Sequence, residues 1–477
     1  MDIPIIIYKW QKQEFKTLYN SCKKYLDVKD IQFYFPILSL FFYYHNTKYS
    51  NKTVDLKHRY KCKEILESEN YKYYNSNKLS KCKIYDNILN IDINTECFIK
   101  CIHLIDPIHH MMNNYKSKNN GLPNNYNYNY NNKINNLNNS SYIDVFFSFL
   151  MSELVIQKKN IHFPLFYGSI NGISDTYNMD ITEEYPEFIG EKWFKKNIGK
   201  NFTIDMFVDD TSSETSNDTS SNSSIISNTS SKDSFDINDD FICKTKDFPV
   251  QYMFLEKLDG TLEDFLDTEN IDYDLITSCL FQTIFTLTFL QKHFNFTHND
   301  LHINNIMYKS TTTTYLYYKY NNVYFKVPTY GYIFKIIDFG RSIYTFKNKT
   351  YHNDVYSKYG EAEGQYQYPI PNVALYRDDR YKNDIMPNMS FDMCRLSTTM
   401  LDFIDENNDL YTFLNDIVID KNGKNIYDDM SDSFDLYIDI AKYSCNGIPH
   451  ILLQNDIFKK YRTKKRYFPK RDFYGMD

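Results

Sequence analysis

No two cysteines in the chain have the Cys-x-x-Cys spacing of zinc ribbons or redox motifs. The nine cysteines are odd in number and scattered through the 477 residues. Cys97 and Cys101 are four positions apart, and a strand would point both thiols the same way without supplying two more metal ligands. The sequence therefore predicts reduced, mostly buried thiols, which are typical of an intracellular protein.

An excess of positive charge and a long apolar run are also missing. The formal net charge is −7 and the pI is about 5.9, so electrostatics gives no argument for binding to nucleic acid. The first residues do not form a basic-then-apolar signal sequence, and the apolar stretch at residues 31–44 is too short and too polar to span a bilayer. We expect neither a nucleic-acid partner nor a membrane association.

Aromatic residues, in contrast, are abundant, with 45 Tyr and 36 Phe. A hydrophobic content of 42% supports a substantial core in two or three domains, or in one large domain with insertions. Two low-complexity tracts fit such insertions. Residues 113–140 are rich in Asn and Tyr, and residues 209–240 in Ser, Thr, Asn and Asp, so we expect both tracts to be flexible and disordered.

The remaining chain shows a mixture of strand and helix patterns. Residues 79–105 contain alternating β-branched and aromatic residues, which predicts strands. Residues 142–157 and 277–294 carry apolar residues at helical spacing. Residues 310–330 predict an inserted β-hairpin, because an Asn-Asn pair at its centre tolerates the positive φ angles of a tight turn.

The densest group of reactive residue types lies between residues 296 and 341. Asp300 and Asn305 are five apart on a polar turn, and Asp338 follows a strand and precedes a Phe-Gly pair. Phosphoryl transfer needs one carboxylate to orient and deprotonate the attacking hydroxyl, and further oxygen ligands to hold Mg²⁺. Carboxylate and amide oxygens suit this hard cation. The alternative to a catalytic role is an ordinary polar turn followed by an aspartate at the end of a strand.

These residues resemble the protein-kinase signature His-x-Asp-Leu-x-x-x-Asn followed by Asp-Phe-Gly. The resemblance implies that Asp300 is the catalytic base and that Asn305 and Asp338 hold Mg²⁺ against the phosphates of ATP. It also implies a structural role for His298. Together with the sequence SFDMCRL, which contains Asp392 as a buried helix aspartate, the pattern looks most like the divergent protein kinases of giant DNA viruses. It covers roughly residues 85–404.

The same resemblance implies phosphate-binding roles outside this loop. Lys100, in the strand sequence CFIK, would contact the α- and β-phosphates, and Glu153 on the following helix would pair with it. Taken alone, Lys100 reads as a solvent-facing strand lysine and Glu153 as an exposed helix carboxylate. His302 stands two residues after the base, where many protein kinases have Lys. A protonated His302 could stabilise charge there, and this feature resembles haspin-type and small-molecule kinases.

An adenine site is implied by the sequence QYMFLEKLDG, which resembles the kinase hinge. Leu255 would be the gatekeeper, and the backbone after it, at Glu256 and Leu258, would hydrogen-bond the adenine. Met307 would pack beneath the ring, a position that a plain core residue would also occupy.

The chain departs from the kinase pattern in three places. Residues 75–99 contain no glycine, so a lid over the phosphates must be built with side chains present, which weakens close approach of the backbone. Asn299 stands where many kinases have Arg, so control by a phosphate that pairs with that Arg is not expected. No Ala-Pro-Glu sequence follows Asp-Phe-Gly.

The sequence thus predicts an α+β, bilobal protein-kinase-like fold with a small β-rich N-lobe, a larger mainly helical C-lobe and ATP between them. The predicted segments are an N-terminal extension at residues 1–75, the N-lobe at 76–255 and the C-lobe at 256–477. The expected activity is ATP- and Mg²⁺-dependent transfer to Ser/Thr hydroxyls of unidentified protein substrates, in a host cytoplasm or a virion if the protein is viral. A pseudokinase scaffold and a small-molecule phosphotransferase are the alternatives, and the oligomeric state is open.

Overall fold

The architecture comes from a computed structural model of the chain. The structure describes residues 3–41, 53–70, 76–115, 121–123, 133–207, 224–225, 240–355, 387–427, 433–469 and 472–476. Residues 209–240, predicted to be flexible, lie almost entirely outside the described residues, and residues 356–386 lie outside them as well. Half of the other predicted flexible tract, residues 113–140, is described, and Ile134 and Asn139 are fully buried there.

The chain divides into two compact units. The N-terminal unit contains Ile5–Ser141 and Phe166–Lys257, and the C-terminal unit contains Met1–Pro4, Tyr142–Leu165 and Leu258–Asp477. Each unit combines helices with largely antiparallel strands, which confirms the α+β class. The bilobal kinase-like arrangement and the segment limits at residues 75 and 255 stay predictions.

Strands form most of the N-terminal unit and several small sheets of the C-terminal unit. In chain order they are β1 (Ile7–Lys9), β2 (Val28–Gln32), β3 (Val54–Leu56), β4 (Tyr60–Asn70), β5 (Lys78–Asp86), β6 (Ile91–His103), β7 (Phe166–Asp180), β8 (Thr203–Phe207), β9 (Ser224–Ile225), β10 (Asp240–Glu256), β11 (Gly260–Thr261), β12 (Ile306–Ser310), β13 (Tyr315–Tyr320), β14 (Val323–Pro328), β15 (Tyr332–Ile336), β16 (Tyr344–Phe346), β17 (Lys349–Tyr351), β18 (Arg462–Thr463) and β19 (Tyr474–Gly475).

The α-helices are longest in the C-terminal unit. In chain order they are α1 (Lys12–Tyr25), α2 (Pro107–Met111), α3 (Ser140–Ile156), α4 (Tyr185–Phe188), α5 (Lys192–Asn197), α6 (Glu263–Leu266), α7 (Tyr273–Phe294), α8 (Phe391–Met400), α9 (Asp409–Ile417), α10 (Ser433–Tyr443) and α11 (Pro449–Leu452). Short 3₁₀ turns occur at residues 36–40, 303–305, 456–461 and 465–467.

The main sheet of the N-terminal unit has the strand order β2-β7-β10-β6-β5-β4, and β8 pairs with β10 beyond this path. The predicted strand region at residues 79–105 corresponds to β5 and β6. In β6, Cys97 and Ile99 are buried while Lys100 is partly exposed, as the two-residue period of a strand requires. β10 pairs with β6 on one side and β7 on the other. Its residues 248–255 are all buried, so both faces of the strand are covered and its sequence is a nearly continuous apolar run.

Helix α7 is the central helix of the C-terminal unit. It begins after Asp272, whose side chain accepts hydrogen bonds from the amides of Asp274 and Leu275, and ends at Asn295 in a left-handed conformation. By length and composition alone, α7 could cross a membrane. This is a weak indication, because core helices pass the same test and nearly all of α7 is buried.

The predicted hairpin between residues 310 and 330 is present as β13 and β14. Asn321 and Asn322 form its turn with φ angles of +45° and +62°. Two consecutive positive φ angles suit the right-handed twist of the strands, and Asn adopts them at low cost. The sequence did not indicate that β18 and β19, from the end of the chain, extend this hairpin into a four-stranded sheet.

The sequence predicts a capped helix start at Thr261, with Glu263 and Asp264 in the first turn, and the structure begins this helix two residues later. Thr261 belongs to β11 and pairs with Met307 on β12, and α6 begins at Glu263. The side chain of Asp264 instead reaches back to accept a hydrogen bond from the Thr261 amide at 3.0 Å. A Cβ at Gly260 would come within 2.0 Å of the Asp264 carboxylate, so only glycine fits beside this contact.

His162 ties the hairpin sheet to the segment that follows α3. It is fully buried, with Nδ1 at 2.7 Å from the Phe334 carbonyl and Nε2 at 2.9 Å from the Tyr318 hydroxyl. Burial lowers the pKa of His162 to about 4, opposed by the hydrogen bond to Phe334. The imidazole therefore stays neutral in the folded chain at pH values where the unfolded chain binds a proton.

Replacing His162 should change how stability depends on pH. Folding lowers the pKa of His162, so its contribution to the free energy of unfolding is complete above the unfolded pKa of about 6.5. This contribution falls by about 3 kcal/mol as the pH decreases towards 4. Denaturant unfolding of wild type and His162→Gln should therefore show a difference in free energy that shrinks on acidification. His450→Gln, at an exposed position, is the control. A wild-type-minus-variant difference that is constant from pH 7 to 4 contradicts the prediction.

Candidate functional site

The loop that follows α7 is tied to the segment that follows β15. Thr297 and Ile343 exchange backbone hydrogen bonds of 3.0 and 2.9 Å. His298 is fully buried, and its Nε2 lies 2.8 Å from the carbonyl of Ile337. Its ring centroid is 5.7 Å from that of Phe339. These contacts suit the structural role predicted for His298, because they join the loop to the residues on either side of Asp338.

A buried carboxylate on α8 holds the backbone immediately before Asp300. Asp392 accepts hydrogen bonds from the amides of His298 and Asn299 at 2.8 and 2.9 Å. Burial raises the pKa of Asp392, and His298 and the two amides oppose that rise. Asn299 has a φ of +62°, a conformation that Asn tolerates better than most residues. Asp392 thus fixes a strained turn from which the side chain of Asp300 projects.

Two side chains approach the same oxygen of Asp300. The Tyr437 hydroxyl donates to Asp300 Oδ1 at 2.7 Å, and Arg341 Nη1 lies 3.7 Å from that oxygen. No sequence pattern indicated Tyr437, which is 137 positions away. Arg341 directly follows the Asp-Phe-Gly sequence, so its position was a usable signal that sequence reasoning missed.

Asn305 is positioned by hydrogen bonds on three sides. Its Nδ2 donates to the Asp300 carbonyl at 2.9 Å and lies 3.0 Å from His302 Nε2. The amide of Ile337 donates to the Asn305 carbonyl at 3.1 Å. Burial lowers the pKa of His302, which disfavours the protonated form considered from the sequence. A neutral His302 can accept the hydrogen bond from Asn305.

Asp338 begins the turn away from β15 with a φ of +63°. The next residue, Phe339, is buried against Phe147 of α3, with ring centroids 4.9 Å apart. The Phe339 amide donates to the carboxylate of Asp144 on α3 at 3.0 Å. The sequence predicts a helix capped at Ser140 or Ser141 with Asp144 in its first turn, and no pattern in it indicates this buried contact. It fixes the backbone directly after Asp338.

The donor set at this loop fits Mg²⁺. Because Nδ2 of Asn305 donates to the Asp300 carbonyl, its Oδ1 points the other way and accepts no hydrogen bond from the described residues. Asp338 adds carboxylate oxygens, and the Ile337 amide links the two segments. The described residues contain no cluster of three or more His, Cys, Asp or Glu suited to a metal. Mg²⁺ commonly takes only one or two carboxylates from a protein and its other ligands from phosphate and water.

The predicted nucleotide-binding residues fall in both units. Lys100, Leu255 and Glu256 belong to the N-terminal unit, where Met253 pairs with Lys100 and Leu255 with Phe98 between β10 and β6. The phosphate-contacting role of Lys100 and the adenine contacts at Leu255 and Glu256 stay predictions.

Glu153, Leu258 and Met307 belong to the C-terminal unit. Glu153 lies near the end of α3, is partly buried, and burial raises its pKa. Its pairing with Lys100 stays a prediction. Leu258 is buried, and Met307 is a partly buried residue of β12 between β11 and β15, so a role beneath an adenine ring also stays a prediction.

Comparison with known proteins gives partial similarities, and no family model matches the chain. A stretch of 75 residues, 15% of the chain, is 40% identical to "Uncharacterized protein 098R" of Invertebrate iridescent virus 6 and covers 12% of that protein. A stretch of 104 residues, 20% of the chain, is 38% identical to a "Probable serine/threonine-protein kinase" of Dictyostelium discoideum and covers 8% of it.

The chain therefore spans only a small fraction of the length of these two relatives. The similarities suggest a kinase-like or viral protein at this coarse level. Activity, substrates and partners of the whole chain do not follow from them.

Removing the Asp392 carboxylate should destabilise the C-terminal unit strongly. Asp392→Ala leaves two buried amides without acceptors and should lower the free energy of unfolding by about 2–4 kcal/mol. Asp392→Asn keeps one acceptor oxygen and should cost less. Urea unfolding followed by circular dichroism measures both.

The matched control is Asp416→Ala, an exposed aspartate on α9, which should change stability by less than about 0.5 kcal/mol. Equal losses in the free energy of unfolding for Asp392→Ala and Asp416→Ala would show that the buried carboxylate does not stabilise the loop.

Proposed function

We propose that the chain is a protein kinase that transfers the γ-phosphate of ATP to serine or threonine hydroxyls of proteins. One observation supports this most directly: the candidate base and the two candidate Mg²⁺ ligands share one hydrogen-bonded frame. Asn305 bonds to the carbonyl of Asp300 on one side and to the amide of Ile337, next to Asp338, on the other. The partial similarity to a probable serine/threonine-protein kinase points the same way.

In the proposed reaction, the oxygen of the substrate hydroxyl attacks the γ-phosphorus, and the carboxylate of Asp300 accepts the proton of that hydroxyl. The bond from the γ-phosphorus to its bridging oxygen breaks, and ADP leaves with the electron pair. Mg²⁺, when held by Asn305 and Asp338, neutralises charge on the phosphates. His302 serves as a neutral acceptor that orients the Asn305 amide, since burial lowers its pKa.

The nucleotide contacts are part of the same proposal. Lys100, paired with Glu153, would hold the α- and β-phosphates, because an ammonium group placed there offsets phosphate charge. The backbone at Glu256 and Leu258 would recognise the adenine, with Leu255 and Met307 as its apolar contacts, completing the proposed ATP site.

A pseudokinase is the second candidate, and one feature of the N-terminal unit favours it. Residues 75–99, which precede Lys100 in the sequence, contain no glycine, although a backbone that cradles phosphates usually needs it. Such a protein would bind nucleotide or partners through the same residues without transferring phosphate.

We place the proposed activity inside a cell. All nine cysteines are free thiols, as expected for a reducing compartment. The partial similarity to an iridescent virus protein hints at a viral origin, and that origin would make the compartment the host cytoplasm or the virion.

Phosphate transfer from labelled ATP tests the proposal. With Mg²⁺ and a generic basic protein as acceptor, the wild type should transfer phosphate and Asp338→Ala should not. Asp300→Ala should lower kcat by about 10²–10⁴-fold with ATP affinity little changed, because the base acts on the acceptor hydroxyl and not on the nucleotide. Asp416→Ala is the control and should match the wild type.

The outcomes separate the candidates. Absence of transfer by the wild type, with ATP still raising its melting temperature, would indicate the pseudokinase. Absence of both transfer and ATP binding would contradict the kinase proposal and would leave a scaffold that binds partners without nucleotide.

A further inference from the structure

Asp300 is oriented by a side chain that lies far from it in sequence. We propose that Tyr437 on α10 is a positioning residue for the base: its hydroxyl fixes one oxygen of Asp300 and so directs the other oxygen to the acceptor hydroxyl. This inference rests on the proposed kinase function. It concerns how the base is held, which none of the sequence motifs specifies.

The geometry separates the two oxygens of the carboxylate. The Tyr437 hydroxyl, at 2.7 Å, and Arg341 Nη1, at 3.7 Å, both approach Oδ1. Within the described residues, the hydrogen bond to this carboxylate is on Oδ1, and Oδ2 receives none. An ionised carboxylate has about four acceptor directions, so Oδ2 can take the proton of a substrate while Oδ1 stays held. Tyr437 therefore supports the base without occupying its reactive side.

The ring of Tyr437 is itself held in place by α8. The guanidinium of Arg395 lies 4.9 Å from the centre of the ring, and Phe391 packs with its ring centroid 6.3 Å away. Burial and the charge of Asp300 raise the pKa of Tyr437. The phenol thus keeps its proton at neutral pH and acts as the donor in its bond to Asp300.

Helix α8 consequently reaches Asp300 by two routes. Asp392 accepts hydrogen bonds from the amides of His298 and Asn299, which precede Asp300. Arg395 and Phe391 pack against Tyr437, whose hydroxyl donates to the Asp300 carboxylate. A carboxylate with a fixed backbone could still rotate about its side-chain bonds. The hydrogen bond from Tyr437 restricts that rotation, which is the part of the geometry that positional catalysis depends on.

The test compares Tyr437→Phe with Tyr443→Phe, an exposed tyrosine at the end of the same helix. In the labelled-ATP assay, Tyr437→Phe should lower kcat roughly 10-fold with the KM for ATP unchanged, because only the orientation of the base is lost. Tyr443→Phe should behave as the wild type. Thermal denaturation verifies that both variants are folded.

A double-mutant cycle distinguishes positioning from general structural support. In an Asp300→Asn background, Tyr437→Phe should cause no further fall in kcat, because its effect passes through the base. Arg341→Met removes the positive charge 3.7 Å from Oδ1, and any part of its effect that passes through Asp300 should likewise disappear in that background.

Three results would overturn the role of Tyr437 while leaving the kinase proposal intact. They are an unchanged kcat in Tyr437→Phe, an equal loss in both backgrounds, and a raised kcat, which would mean that Tyr437 obstructs the base. A wild type that transfers no phosphate overturns the kinase proposal and this role together.

Discussion

The buried carboxylate of Asp392 is the contact on which the rest of the candidate site depends. It accepts two backbone amides, one of them from Asn299 in a left-handed conformation. Without an acceptor these amides would be buried and unsatisfied, at a cost comparable to much of a domain's stability. The turn that presents Asp300 is therefore stabilised by a helix almost a hundred residues away, not by its own sequence.

A second constraint acts at Asp338, where the chain again takes a positive φ. Asp144 accepts the Phe339 amide, and Phe339 is buried among aromatic rings that include Phe147. Because Asp144 and Phe147 are both on α3, a movement of that helix would change the turn that carries Asp338. The backbone beside Asp300 and the backbone after Asp338 are thus held by different helices, α8 and α3.

Local patterns predicted the regular elements well. The alternation around Cys97 indicated β6, and the Asn-Asn pair marked the hairpin turn, because Asn accepts positive φ. Thr261 was assigned to a helix start, where pairing of β11 with β12 overrides the local capping signal. The attachment of β18 and β19 to the hairpin was not predictable either, since short edge strands have no periodicity of their own.

The sequence by itself determined which residue types could carry phosphoryl transfer: Asp300, Asn305 and Asp338, at spacings that a turn and a strand end impose. It also indicated a buried aspartate at residue 392. Only the tertiary structure decided which distant groups contact them, namely Asp144 at the turn after Asp338 and Tyr437 at the carboxylate of Asp300. Periodicity and spacing report on neighbours along the chain, whereas a hydrogen bond between residues 137 positions apart exists only once the helices have packed.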